Sequence, residues 1–120
     1  MIDNESGEDY LEAILRLSEP GKDLHAVQIA RRLGVSKPAV TKALRILTQK
    51  GYVEIVANHI RLTESGEAYA AAVYEKHCLL TRFFVKLGVD AETAEADACR
   101  MEHLISPATY EAIKRFTEQD

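Results

Sequence analysis

Between Leu24 and Lys50 the chain carries two amphipathic stretches separated by a glycine and a helix-restart signal, an order of signals that few folds accommodate. Leu24 to Leu33 reads as a short helix with Val27, Ile29, Ala30 and Leu33 available for burial. Gly34 can take the left-handed conformation that turns the chain sharply. Val35-Ser36-Lys37-Pro38 then restarts a helix, with Ser36 as its cap and Pro38 harmless in the first turn. That helix continues to about Lys50 and buries Val40, Leu44 and Leu47. Small Ala30 and Gly34 let the two helices cross closely. The pattern predicts a helix-turn-helix whose second helix enters a major groove with its N-terminal residues leading.

Charge supports the same segment. The chain has 15 basic and 19 acidic residues, a net −4 that taken alone argues against nucleic acid. Residues 22–50, however, hold seven bases (Lys22, Arg31, Arg32, Lys37, Lys42, Arg45 and Lys50) against Asp23 alone, a local +6. The rest of the chain is acidic, so one segment forms an anion-binding surface. Lys37 and Arg45 are phosphate contacts on charge grounds.

Around this motif the elements follow in order. Ser6 reads as the cap of a first helix ending near Ser18, with Leu11, Ile14 and Leu15 inward and Asp9 and Glu12 together on another side. Gly51 to Val56 alternates as a strand and Ile60 to Leu62 returns after a turn at Ala57-Asn58-His59, forming a short wing. Thr63 caps a long helix to Leu87, stopped by Gly88, with Val73, His77, Leu80 and Phe84 on one stripe. Asp90 caps a fifth helix and Ser106-Pro107 starts a sixth. The expected fold is mainly α: a winged helix-turn-helix over residues 1–70, then an all-helical dimerisation domain over 71–120. About 50 residues make a poor lobe alone, so pairing with a second copy through helices rich in Leu79, Leu80, Phe83, Phe84 and Ile105 is expected.

Cys78 and Cys99 lack metal-knuckle or redox spacing and fit a reducing cytoplasm. The acidic N-terminus is not that of a signal peptide, and the longest apolar run, Ala68 to Tyr74, is too short for a bilayer; no membrane partner is expected.

The chemistry concentrates in Glu95-Ala96-Asp97-Ala98-Cys99-Arg100-Met101-Glu102-His103. At about 100° per residue, Glu95, Cys99, Glu102 and His103 share one helical stripe, beside an apolar stripe of Ala94, Ala98, Met101 and Ile105. Two carboxylates, an imidazole and a thiol so close would repel or desolvate badly without a cation, whereas a divalent transition metal accepts all of them. The bland alternative is a solvated polar face with an incidental cysteine. Asp9 and Glu12, a second acidic pair, and His77, an imidazole on a half-apolar face, tip the balance toward metal. No nucleophile or oxyanion pocket is visible, so neither an enzyme nor a small-molecule substrate is expected.

Helix-turn-helix, wing, long linking helix and Ala98-Cys99-Arg100-Met101-Glu102-His103 in this order resemble the diphtheria toxin repressor family of iron- and manganese-dependent bacterial transcription regulators. The resemblance runs from Glu8-Asp9-Tyr10-Leu11-Glu12 through His103-Leu104-Ile105-Ser106. It implies that Asp9 and Glu12 match first-helix ligands of manganese-type members, that Cys99, Glu102 and His103 match primary-site ligands of iron-type members, and that His77 matches a histidine used in both. The sequence is a hybrid in this respect. An ancillary iron-type site would want a carboxylate at Thr81 and a histidine at Glu95; Glu95 can still ligate. The SH3-like third domain of iron-type members is expected to be missing, as in shorter manganese-type ones. Operator contacts map to Ser36, Pro38, Ala39, Thr41 and Lys42, with the wing tip at Asn58 and His59 grazing the adjacent groove.

The resulting expectation is a clamp. Fe(II) or Mn(II), with Zn(II) or Co(II) as substitutes, joins Asp9 and Glu12 to His77, Glu95, Cys99, Glu102 and His103, and thereby sets the spacing of two reading helices in a homodimer on double-stranded operator DNA. The first rival is a winged-helix regulator that needs no metal; the second and weaker is a small metalloenzyme, for which mixed carboxylate, His and Cys ligands are chemically admissible.

Overall fold

The computed structural model describes residues 2–119, with side chains from residue 7 to 119. Its helices are α1 (Ile2–Leu17), α2 (Ala26–Leu33), α3 (Lys37–Gln49), α4 (Glu64–Leu87), α5 (Ala91–Met101) and α6 (Pro107–Glu118), and β1 (Val53–Val56) and β2 (His59–Leu62) lie between α3 and α4. The fold is therefore mainly helical. Two compact units, Met1–Ala71 and Ala72–Asp120, divide it within α4.

In the first unit, α2 ends where Gly34 adopts φ +69°, and the Gly34 and Val35 amides both donate to Ala30 O (2.9 and 3.1 Å). Ser36 then caps α3, its hydroxyl accepting from Ala39 N at 3.2 Å. Val40, Leu44 and Leu47 of α3 pack with Tyr10, Leu11 and Ile14 of α1, Leu24, Ile29, and Val53 and Ile60 of the hairpin. The hairpin is antiparallel, with Val53 opposite Leu62 and Val56 opposite His59. Its two turn residues, Ala57 and Asn58, both have positive φ (52° and 67°), the geometry that matches the right-handed twist of paired strands.

Three expectations change here. Helix α1 begins at Ile2, so Ser6 lies inside it. Helix α2 begins at Ala26 with His25 at its N-cap, because Gln28 Oε1 accepts from the His25 amide at 2.9 Å. Val27 is exposed, since Ile29 fills the inward stripe of this short helix, flanked by Ala30 and Leu33.

In the second unit, Gly88 (φ +106°) stops α4, Asp90 caps α5 by accepting from Thr93 N (3.0 Å), and Ser106 caps α6 by accepting from Thr109 N (3.2 Å). Val73, Leu79, Leu80, Ala94, Ala98 and Tyr110 are buried. Lys86 Nζ closes the far end of α6, donating to Phe116 O (3.0 Å) and Gln119 O (2.6 Å). Leu79 and Leu80, on a helix expected to pair with a second copy, are themselves core residues. The exposed large apolar residues of this unit include Val85, Leu87, Leu104 and Phe116. Met101 is exposed too, because α5 ends at that residue and the inward stripe stops at Ala98. No disulfide joins Cys78 and Cys99, and no helix among the described residues is long and apolar enough to cross a membrane.

Candidate metal centre and nucleic-acid interface

The histidine of α4 and the end of α5 build one buried cluster within the second unit. Val73, His77 and Leu80 recur at helical spacing on α4, which places the imidazole among core residues at 5% exposure. Helix α5 ends at Met101, and Glu102, its C-cap, keeps helical angles (φ −60°, ψ −24°) that aim the carboxylate along the stripe of Ala94 and Ala98. His77 Nδ1 lies 3.1 Å from Glu102 Oε2, and His103 Nε2 lies 3.4 Å from Glu102 Oε1. All three side chains are nearly sealed from water. His77 Nδ1 is buried and lacks a hydrogen bond of acceptable geometry despite its short distance to the carboxylate. An imidazole lone pair, a carboxylate and a second imidazole held this way are borderline donors of the kind that divalent transition metals accept. The residues present thus fit a metal.

The other expected ligands distribute as follows. Glu95 and Cys99 are exposed residues of α5. The Thr81 hydroxyl is turned back on its own helix, donating to His77 O at 2.8 Å, so it is already committed to the turn that holds His77. In the first unit, Asp9 is half-buried and Glu12 is buried on α1, with Arg16 Nη1 3.4 Å from Glu12 Oε2.

In the first unit the start of α3 is exposed. With Val40, Leu44 and Leu47 inward, Lys37, Pro38, Thr41, Lys42 and Arg45 fall on the exposed side of α3 and line one shallow concavity. Ser36 is exposed but its hydroxyl serves the helix cap; Ala39 is half-buried. Such a cationic, donor-rich helix start suits a phosphate-flanked groove.

His25 and His59 fasten the wing by contacts that the sequence does not announce. His59 Nδ1 accepts from Leu24 N (3.0 Å), Ile60 N donates to Leu24 O (2.9 Å), and His25 Nδ1 lies 3.1 Å from Asn58 O. Because His59 Nδ1 accepts a backbone N–H, its ring proton sits on Nε2. Sequence reasoning also misses the clasp of α1 on α4, in which Tyr69 donates to Glu8 Oε2 at 2.7 Å; burial first, then this bond, pushes the Tyr69 hydroxyl well above the ordinary tyrosine range. Neither has a sequence signature, since each pairs residues far apart in the chain.

The model of the iron-dependent repressor N-terminal DNA-binding domain matches residues 4–59, and that of the iron-dependent repressor metal-binding and dimerisation domain matches residues 63–119. The chain is similar to the transcriptional regulator MntR of Escherichia coli O6:H1, 37% identical over 113 residues that cover 93% of this chain and 73% of the relative. It is also similar to the iron-dependent repressor IdeR of Mycobacterium bovis, 38% identical over 101 residues, which are 82% of this chain and 44% of that one. Among solved structures, a manganese-dependent transcriptional repressor in complex with manganese superposes with a TM-score of 0.85 at 28% identity, and the manganese regulator SloR with 0.81 at 31%. Each match covers 92% of this chain and 52% of the other. With a DNA-binding model on one unit and a metal-binding model on the segment that holds His77, Glu102 and His103, the chain belongs to the diphtheria toxin repressor family of metal-dependent transcriptional repressors, which are not enzymes.

Proposed function

We propose that this chain represses metal-ion uptake genes when Fe(II) or Mn(II) is bound, Zn(II) and Co(II) being substitutes that the same donors admit. The observation that carries the reading is the sealed cluster of His77, Glu102 and His103, whose carboxylate lies 3.1 Å from a buried imidazole nitrogen. These three residues hold the ion, and Asp9 and Glu12 of α1 complete its coordination, as the family resemblance implies for manganese-type members. Cys99 and Glu95 stand by on α5 as further ligands. Thiolate participation suits Fe(II), whereas an all-carboxylate and imidazole set suits Mn(II). A bound divalent cation supplies the positive charge that lets these acids stay buried and ionised together.

The rest is the work of this chain's own residues. α1 belongs to the DNA-binding part and the imidazoles to the dimerising part, so a shared ion favours one arrangement of the two. In a two-fold dimer that arrangement brings the α3 helices to about 34–36 Å, the separation of successive major grooves. Moving a two-state equilibrium from 1:99 to 99:1 takes a differential of about 5.5 kcal/mol, within the range of metal-binding energies. Ser36, Pro38, Ala39, Thr41 and Lys42 then meet the groove, and Lys37 and Arg45 its phosphates. A thiol-bearing regulator of this kind works in the reducing cytoplasm.

The test is selection of duplex DNA from a random pool with Mn(II), followed by affinity measurements with Mn(II), Fe(II) and Zn(II) under anaerobic conditions and with chelator. Loss of binding on chelation, and in His77→Ala and Glu102→Ala, is the expected result. Binding that ignores chelator supports the metal-independent winged-helix reading instead.

A further inference from the structure

Tyr74 lies one turn before His77 on α4, the spacing at which helical side chains meet. Their rings are nearly parallel, 11° apart, with centroids separated by 6.2 Å, inside the range of offset-stacked pairs. His77 is 5% exposed and Tyr74 36%, so the tyrosine is the more solvent-exposed of the two. This matters because a ligating imidazole offers its lone pair only in the ring plane, and the torsion that sets this plane, χ2 of histidine, is broad and weakly defined by the backbone. The position of the ring must come from its neighbours. On the backbone side, Thr81 Oγ1 donates to His77 O at 2.8 Å. On the ring face, the neighbour is Tyr74.

We infer that Tyr74 is a positioning residue of the metal centre: its ring stacks on His77, holds the imidazole so that Nδ1 stays 3.1 Å from Glu102 Oε2, and keeps water off that face. The inference rests on the metal reading proposed above. Tyr74 touches no metal and acts through His77, as outer partners of metal-bound histidines do when they fix ring orientation. Stacking requires an aromatic face and not a hydroxyl, which separates this role from that of a hydrogen-bonding tyrosine.

The experiment measures Mn(II) affinity, from the electron paramagnetic resonance signal of free ion, for the wild type, Tyr74→Phe, Tyr74→Ala, Tyr74→Leu and His77→Ala. The visible spectrum of the Co(II) form and the nitrogen NMR shifts of His77 in metal-free protein are recorded alongside. Tyr74→Phe should bind within about twofold of wild type, while Tyr74→Ala and Tyr74→Leu weaken by about tenfold, the low end of the effect of outer-partner loss. In those two variants the Co(II) bands should shift, and the metal-free His77 signals should broaden or move toward the mixed tautomers of a free ring. Circular dichroism confirms that each variant is folded, and Leu keeps an apolar filler where Ala leaves a void. Undiminished affinity in folded Tyr74→Leu, or a Phe variant as weak as Ala, overturns the inference. If His77→Ala binds Mn(II) as the wild type does, the metal reading itself fails, and the inference with it.

Discussion

Glu102 Oε2 stands 3.1 Å from His77 Nδ1 with both side chains almost wholly out of water. A carboxylate buried to 1% exposure is a charge removed from solvent at a cost of several kcal/mol. Glutamine has nearly the same shape and no charge. Metal-free Glu102→Gln is therefore expected to melt higher than metal-free wild type. Added Mn(II) at about a hundred times its dissociation constant should stabilise the wild type by about 2.7 kcal/mol and leave Glu102→Gln unmoved. Thermal melts of both proteins with and without Mn(II) decide it; a Gln variant that melts lower without metal would contradict the argument.

On α3, Lys37 and Arg45 line the exposed concavity beside Pro38 and Thr41. As the phosphate contacts proposed above, they would act through counterion release and not through base reading. Lys37→Ala or Arg45→Ala should weaken operator and random DNA alike and lower the salt slope of binding by about one each. Affinity titrations at several salt concentrations, on both DNAs, test this; a loss confined to the operator would make either residue a base reader.

Ser36 acts on the same helix by a different route. Its hydroxyl accepts from Ala39 N at 3.2 Å, so Ser36→Ala should cost about 1 kcal/mol of stability, and Ser36→Asp should recover it because aspartate caps equally well. Denaturant unfolding of the two variants provides the comparison.

These α3 features are legible in the sequence because their signals are local. A glycine at +69°, a serine cap and an apolar stripe of Val40, Leu44 and Leu47 each need only neighbours within a turn or two. The same holds for Asp90 and Ser106. The centre is legible in composition but not in geometry: a 3.6-residue stripe places Glu95, Cys99, Glu102 and His103 together, yet α5 stops at Met101 and of these it is Glu102 that lies against His77, with His103 against Glu102, while Glu95 and Cys99 are exposed. Helix termination is set by the turn that follows, which periodicity does not encode. Which leucines of α4 enter the core, Leu79 and Leu80 among them, depends on which face α5 and α6 take, a tertiary choice. The bonds of His59 to Leu24 and of Tyr69 to Glu8 are invisible in the sequence for the same reason.

Asp90 offers a pH test. Hydrogen bonds from Thr93, the backbone N–H first and then the side chain, hold its exposed carboxyl below the usual carboxylate range. A group depressed in the folded state stabilises fully above its unfolded value, about 3.9, and loses that contribution as pH falls through the lower folded value. Asparagine caps without titrating. The stability difference between wild type and Asp90→Asn should thus stay constant across neutral pH, and the wild type should lose ground to the variant only below about pH 4. Parallel melting curves down to the acid limb check the sign.

The last prediction concerns a residue that looks out of place. Gly66 sits inside the first turn of α4, where glycine weakens a helix by about 0.5–1 kcal/mol relative to alanine, so a sequence argument alone would replace it. The surroundings say otherwise. Thr63 N donates to Tyr52 O at 3.0 Å, and Thr63 Oγ1 donates to Gly51 O at 2.6 Å while accepting from Gly66 N at 3.1 Å; Ser65 Oγ also reaches Gly51 O. These bonds draw the start of α4 onto the backbone that leaves α3. A Cβ at residue 66 would stand 1.9 Å from Tyr52 O and 2.9 Å from Tyr52 C. Backbone atoms tied into that network cannot swing aside as a side-chain tip would, so the helix start would have to lift and Thr63 would lose its partners. Gly66→Ala is expected to destabilise by about 3 kcal/mol, at or above the upper end of ordinary overpacking. Chemical denaturation of Gly66→Ala measures this directly, with Gly7→Ala as the control, since a Cβ there meets only Leu47 Cδ2 at an ordinary 3.8 Å. A Gly66→Ala protein as stable as the control would mean that α4 does not dock on Tyr52 in solution.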